Sequence, residues 1–187
     1  LPMAVLISIS GNKLSSESGI KFLILSAVSS ALLLYGMVWV YGLTGTTDVT
    51  EIFQSIEAMS RQNDSTSMTA FGNYGLLLGV ILIVAGFGFK ISSVPFHMWV
   101  PDVYQGAPTP ITAFLSVASK AAGFAVILRV FYGSFSSESL SIEWSMIFAI
   151  MAVLSMVIGN FVAISQKNIK RLLAYSTIAH AGYMMMG

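Results

Sequence analysis

The sequence contains no cysteine, which excludes disulfides and thiolate metal sites and leaves the redox compartment unreadable. Charge is nearly as scarce. Asp, Glu, Lys and Arg make up 9% of the 187 residues, where a soluble domain carries about 25%. So few charges cannot cover a water-facing surface. The net charge is +1 and no run of basic residues occurs, so neither an acidic partner nor nucleic acid is indicated. There is no GxGxxG, no metal-ligand cluster and no nucleophile–base pair. No basic segment or start methionine precedes the first apolar run, so the opening is not read as a signal peptide.

What is abundant is apolar. Hydrophobic residues make up 56% of the chain, and the mean hydropathy is +0.81. A spanning helix needs about 20 mostly apolar residues. Four windows supply them: Ile20 to Leu43, Gly75 to Val100, Pro110 to Tyr132 and Ile142 to Ser165. The apolar ends, 1–10 and 169–187, read as two cut spans. The expectation is an all-α polytopic membrane protein, a fragment of about six spans in the lipid bilayer, forming one domain over 1–187. Its spans are rich in Ala, Ser and Gly, which let helix backbones approach closely.

The connections alternate in charge. Lys13 lies in one turn and Lys167, Lys170 and Arg171 in another, while the 44–74 connection holds Asp48, Glu51, Glu57 and Asp64 against Arg61. The acidic side also has Glu138 and Glu143. The positive-inside rule puts the basic turns in the cytoplasm. By parity the 101–109 turn falls there too, although it carries Asp102 and no base. A short surface helix is expected near Val49 to Arg61.

Two lysines break the apolar pattern. Lys90 and Lys120 each sit inside a long apolar stretch, 16 and 14 residues from Gly106 in the connecting turn. In an antiparallel hairpin they reach similar depths, well inside the membrane. A lysine at the bilayer centre costs roughly 2.5 to 3.5 kcal/mol. Unlike an arginine guanidinium, a lysine amine can give up its proton. Proton handling is therefore the functional reading, and a pair of structural ions the alternative. At ~8 Å and an effective dielectric of about 20, the two ammonium groups would repel by about 2 kcal/mol, enough to couple their protonation. Lys21 and Arg129 lie near span ends, where long side chains reach the interface. Glu17 and Lys21 are spaced to pair on one helix face.

The first lysine helix also carries a breaker. In "GFGFKISSVP" two glycines precede Lys90 and Pro95 follows it. Proline removes a helix hydrogen bond, and freed backbone groups at membrane depth need protein or water. A few non-helical residues are expected between Gly86 and Pro95. His97, seven residues after Lys90, shares its face only if helix geometry recovers; it is a possible proton relay or a packed histidine. His180 leaves the same two readings. Ser92, Ser93, Thr109, Thr112, Ser116 and Ser119 either line a polar path or bond back to helix carbonyls. Asp102, among Pro101, Pro108 and Pro110, reads as part of a rigid hairpin.

The stretch "FGFKISSVPFHMWVPDVYQGAPTPITAFLSVASKAAGFAVILRVF" resembles the signature of the antiporter-like membrane subunits of complex I, with subunit N the nearest type. "NIKRLLAYSTIAHAGYMMMG" and "ESGIKFLILSAVSSALLLYGMVWVYG" resemble the flanking blocks. The resemblance implies a bundle of fourteen helices with two inverted repeats, of which this chain holds the end of the fifth helix to most of the tenth. It implies that Lys90 and Lys120 are proton-translocating, that Lys21 matches a further family lysine, and that a fifth-helix glutamate preceding Leu1 pairs with Lys90. It further implies that NADH, FMN, iron–sulfur clusters and quinone belong to other subunits, which would be this chain's partners. A bacterial inner membrane is expected, or else an organelle membrane. The alternatives are a subunit of a multisubunit cation/proton antiporter and a non-conducting scaffold.

Overall fold

The computed structural model describes residues 2–61, 67–136 and 138–186. Asp64, one of the acids in the sidedness argument, lies outside them. The described residues form helices and no strand. They are α1 (Pro2–Ser8), α2 (Lys13–Thr44), α3 (Val49–Arg61), α4 (Ser67–Ile91), α5 (Val100–Gly106), α6 (Thr109–Ser116), α7 (Ala118–Ser134), α8 (Glu138–Ile164) and α9 (Ile169–Met186). Four stretches are long and apolar enough to cross a membrane: Lys13–Thr44, Tyr74–Ile91, Thr109–Ser134 and Trp144–Ile164. The last of the expected spans is present as the 18-residue helix α9, but its basic start and polar side chains keep it out of that set.

Small residues set the packing. A Cβ on Gly36 of α2 would stand 2.8 Å from the carbonyl oxygen of Gly79 on α4. Ser29 of α2 donates to the Gly86 carbonyl at 3.1 Å. The same device joins α8 to α9 through Gly159 and Gly182. Large apolar side chains meanwhile point outward. Val153, Val157, Phe161 and Ile164 repeat along one face of α8, with Phe161 77% exposed. An apolar exterior is the reverse of a soluble fold and suits lipid or a neighbouring helix.

The surface helix of the acidic connection is α3. Asp48 caps it, accepting from the amides of Thr50 at 2.8 Å and Glu51 at 3.3 Å. Its Ile56 is buried, and the Val49 carbonyl accepts from Ser134 of α7 at 3.2 Å. The first helix of the lysine hairpin ends at Ile91, and regular helix resumes only at Val100. The second is also interrupted, at Val117, between α6 and α7. The sequence carries no breaker there and gave no warning of it.

Candidate functional site

The break in the first lysine helix is longer than the few residues expected. Ser92 turns the chain through the left-handed region at φ 64°, and residues 92–99 run in turns. Lys90 stands in the last turn of α4. Its side chain is exposed at the surface of the described residues. His97 is part of the turn segment and half-buried. Helix geometry does not recover before it, so its seven-residue spacing from Lys90 is not a helical one. Its Nδ1 is buried without a hydrogen-bond partner among the described residues.

Lys120 lies inside the bundle, 2% exposed. Its ammonium donates to the Thr177 carbonyl of α9 at 2.8 Å. The two lysine helices touch close by: a Cβ on Gly123, one turn past Lys120, would meet Ile91, next to Lys90, at 3.0 Å. The lysines thus sit on adjoining elements but face different surroundings.

Lys120 borders a cleft of about 610 Å³ between α6–α7 and α9. Thr112, Ser116, Lys170 and His180 also line it. Ser116 and Thr112 bond back to Ala113 and Pro108 carbonyls, at 2.8 and 3.3 Å. Lining the cleft and bonding back are therefore compatible. His180 is exposed, with Nδ1 2.7 Å from the Ser176 carbonyl. Chemically the cleft offers amines and hydroxyls on a mostly apolar wall.

At the basic end, sequence reasoning understated Asp102. Its carboxylate accepts from Lys21 at 2.8 Å and from Arg171 at 2.8 Å. Lys21 also pairs with Glu17 at 2.7 Å, as its spacing predicts. Arg171 reaches Gln105 at 3.0 Å, and Lys170 donates to the Ala107 carbonyl at 2.9 Å. Asp102 therefore ties the starts of α2 and α9 to the 101–109 turn, and Lys21 is held in this cluster at the turn end of the lysine hairpin. The signal was available: parity already placed an unneutralised acid among bases.

Burial pushes the Asp102 carboxyl up, but the Lys21 and Arg171 hydrogen bonds outweigh this and hold it below the usual carboxylate range. A lowered folded value stabilises the fold above the unfolded carboxyl's range, near pH 4, and that stability is lost as pH falls through the lowered value. Asp102→Asn is expected to cost about 1 kcal/mol at neutral pH, since the three side chains are 31 to 42% exposed. Thermal melts of the two proteins should converge in acid. A constant gap across pH would show that the carboxylate charge contributes nothing.

One backbone partner in the break, Ser155 of α8, was not visible in the sequence. It accepts from the Val94 amide at 2.9 Å.

The family described as NADH:quinone oxidoreductase/Mrp antiporter, TM, matches residues 1–187. NADH-quinone oxidoreductase subunit N of Dehalococcoides mccartyi is 49% identical over 187 residues, 100% of this chain and 38% of that protein. Subunit N of Moorella thermoacetica is 53% identical over 177 residues, 95% of this chain and 34% of that protein. This chain therefore spans little more than a third of the length of these relatives. Among solved structures, respiratory complex I from Thermus thermophilus with bound aureothin matches with a TM-score of 0.76 and 35% identity, over 100% of this chain and 36% of the other. The Mrp complex from Dietzia shares the fold, with a TM-score of 0.81 at 19% identity over 100% of this chain and 32% of the other. On the full-length match and these relatives, the chain belongs to the membrane family of NADH:quinone oxidoreductase and Mrp antiporter subunits.

Proposed function

We propose that this chain is part of an N-type membrane subunit of NADH:quinone oxidoreductase and passes protons through Lys90 and Lys120, driven by quinone reduction elsewhere in the complex. The chain itself then carries no redox centre; NADH, FMN, the iron–sulfur clusters and quinone belong to the partner subunits. The complex sits in a bacterial plasma membrane. The observation that carries the reading is Lys120. It is 2% exposed and held by one carbonyl, with no ion pair among the described residues. A buried amine without a fixed counter-charge costs energy that a scaffold has no reason to spend.

Lys90 complements it. Its side chain is exposed on the described surface, where a carboxylate from the remainder of the subunit can reach it. The cleft beside Lys120, which Lys170 of the basic end also lines, supplies a route for protons, and the adjoining helices supply the hand-over between the lysines.

The test is Lys90→Ala in the full-length subunit within the assembled complex. NADH-driven proton movement into vesicles should fall, while the amount of complex stays at the wild-type level. Normal pumping by an assembled variant would remove Lys90 from the path. The family's description, which includes Mrp antiporters, keeps cation/proton exchange by a multisubunit antiporter as the second reading; proton movement that depends on a monovalent cation and not on NADH would favour it.

A further inference from the structure

Breaking a helix at membrane depth frees amides and carbonyls that must find partners. Several find partners close by in the chain. The Gly88 carbonyl accepts from the Ser93 amide at 2.9 Å and from its hydroxyl at 3.2 Å. The Phe89 carbonyl accepts from the Ser92 amide at 3.1 Å and from the Trp99 indole at 3.3 Å. Pro95 has no amide to satisfy. The Val94 amide differs, since its acceptor is the Ser155 hydroxyl, 61 residues away on another span. Val94 is 4% exposed and Ser155 0%.

We propose that Ser155 is a positioning residue that docks the end of the broken helix onto α8 and so fixes where Lys90 stands relative to Lys120. The inference rests on the proton-transfer reading of the two lysines. Lys90 lies four residues before the docked amide. Four residues is too short a tether for the lysine to hold its place if the amide is released.

The other end of the link is equally tight. α8 is pressed against α9 at Gly159, whose Cβ would stand 2.8 Å from the Ala179 amide nitrogen. It is pressed again at Gly182, whose Cβ would stand 2.8 Å from the Ala152 carbonyl. Ser155 lies between Ala152 and Gly159 on the same helix, and α9 supplies the Thr177 carbonyl that holds Lys120. The α8–α9 pair therefore anchors both lysine elements, one through a side chain and the other through a backbone carbonyl.

Ser155→Ala removes the acceptor with little change of volume and leaves a buried amide unpaired. Ser155→Thr keeps the oxygen. The experiment uses full-length subunit in the assembled complex. Hydrogen–deuterium exchange over residues 92–94 should quicken on the order of tenfold at Val94 in Ser155→Ala and stay near wild type in Ser155→Thr. Unchanged exchange in the alanine variant overturns the proposal. Protons moved per NADH oxidised should also fall in Ser155→Ala and recover in Ser155→Thr. A smaller yield of complex with an unchanged ratio would make Ser155 merely structural, and that too overturns it. If the alanine variant does not assemble, Ser155→Cys, with a weaker acceptor of similar size, carries the same comparison. Failure of the lysine reading remains distinguishable. Normal pumping by Lys120 variants defeats that reading and leaves the exchange result standing, whereas lost pumping there with a normal Ser155→Ala ratio defeats this inference alone.

Discussion

Lys120→Gln and Lys120→Arg are both expected to cut proton transfer through this subunit by roughly a hundredfold, the low end of what a positioned proton-transfer group contributes. The two substitutions fail for different reasons, and that makes them informative together. Glutamine keeps a donor for the Thr177 carbonyl, which Lys120 now serves at 2.8 Å, but carries no exchangeable charge. Arginine keeps the donor and the charge but does not release its proton at any working pH. If Lys120 were only a peg between α7 and α9, either variant would preserve that bond and the complex would pump normally. The measurement is the number of protons moved per NADH oxidised in vesicles, which should drop by this subunit's share in both. An arginine variant with the wild-type ratio would show that Lys120 never deprotonates during turnover.

Much of this site was legible because charge is so scarce in the chain. Lys90 and Lys120 stand out against long apolar runs, and Pro95 with Gly86 and Gly88 marks the break. The family of the chain was legible in the same stretch. What could not be read is which way each lysine faces. α4 is apolar nearly all round, so no polar stripe tells the buried face from the exposed one, and only its neighbours decide. Lys90 came out on the described surface and Lys120 in the interior for that reason. The helical spacing from Lys90 to His97 failed because the turns continue through residue 99, further than the glycines and proline alone require. Those turns are held by local bonds and by one partner distant in sequence, Ser155, and a serine in an apolar helix looks the same whether it bonds its own carbonyls or a foreign amide. Asp102 was underread for a milder reason: the prolines around it explain a rigid turn, and that explanation hid the two cations it binds.

Gly182→Leu should have the largest effect on the fold, preventing assembly of the subunit, and Gly159→Leu should match it. A leucine Cβ at Gly182 would stand 2.8 Å from the Ala152 carbonyl oxygen, 2.9 Å from Met156 Cγ and 3.0 Å from the Met156 amide nitrogen. Two of these three are backbone atoms of a helix, which cannot step aside as a side chain tip can. α8 and α9 must separate instead, and dispersion contacts along both helices are lost with distance. Within a membrane this matters more than in water, because lipid gives two apolar helices no hydrophobic reason to stay together. Even Gly182→Ala should cost about 1 to 3 kcal/mol, the usual range for overpacking a close contact. Gly42 of α2 provides the control. A Cβ there meets nothing within 4 Å, so Gly42→Ala should stabilise its helix by up to about 1 kcal/mol through propensity alone. Thermal stability of the purified complex in detergent reads the alanine variants, and the yield of assembled complex reads the leucine ones. Wild-type yield from Gly182→Leu would show that α8 and α9 separate without penalty; it would also undo the argument that this pair rigidly anchors both lysines.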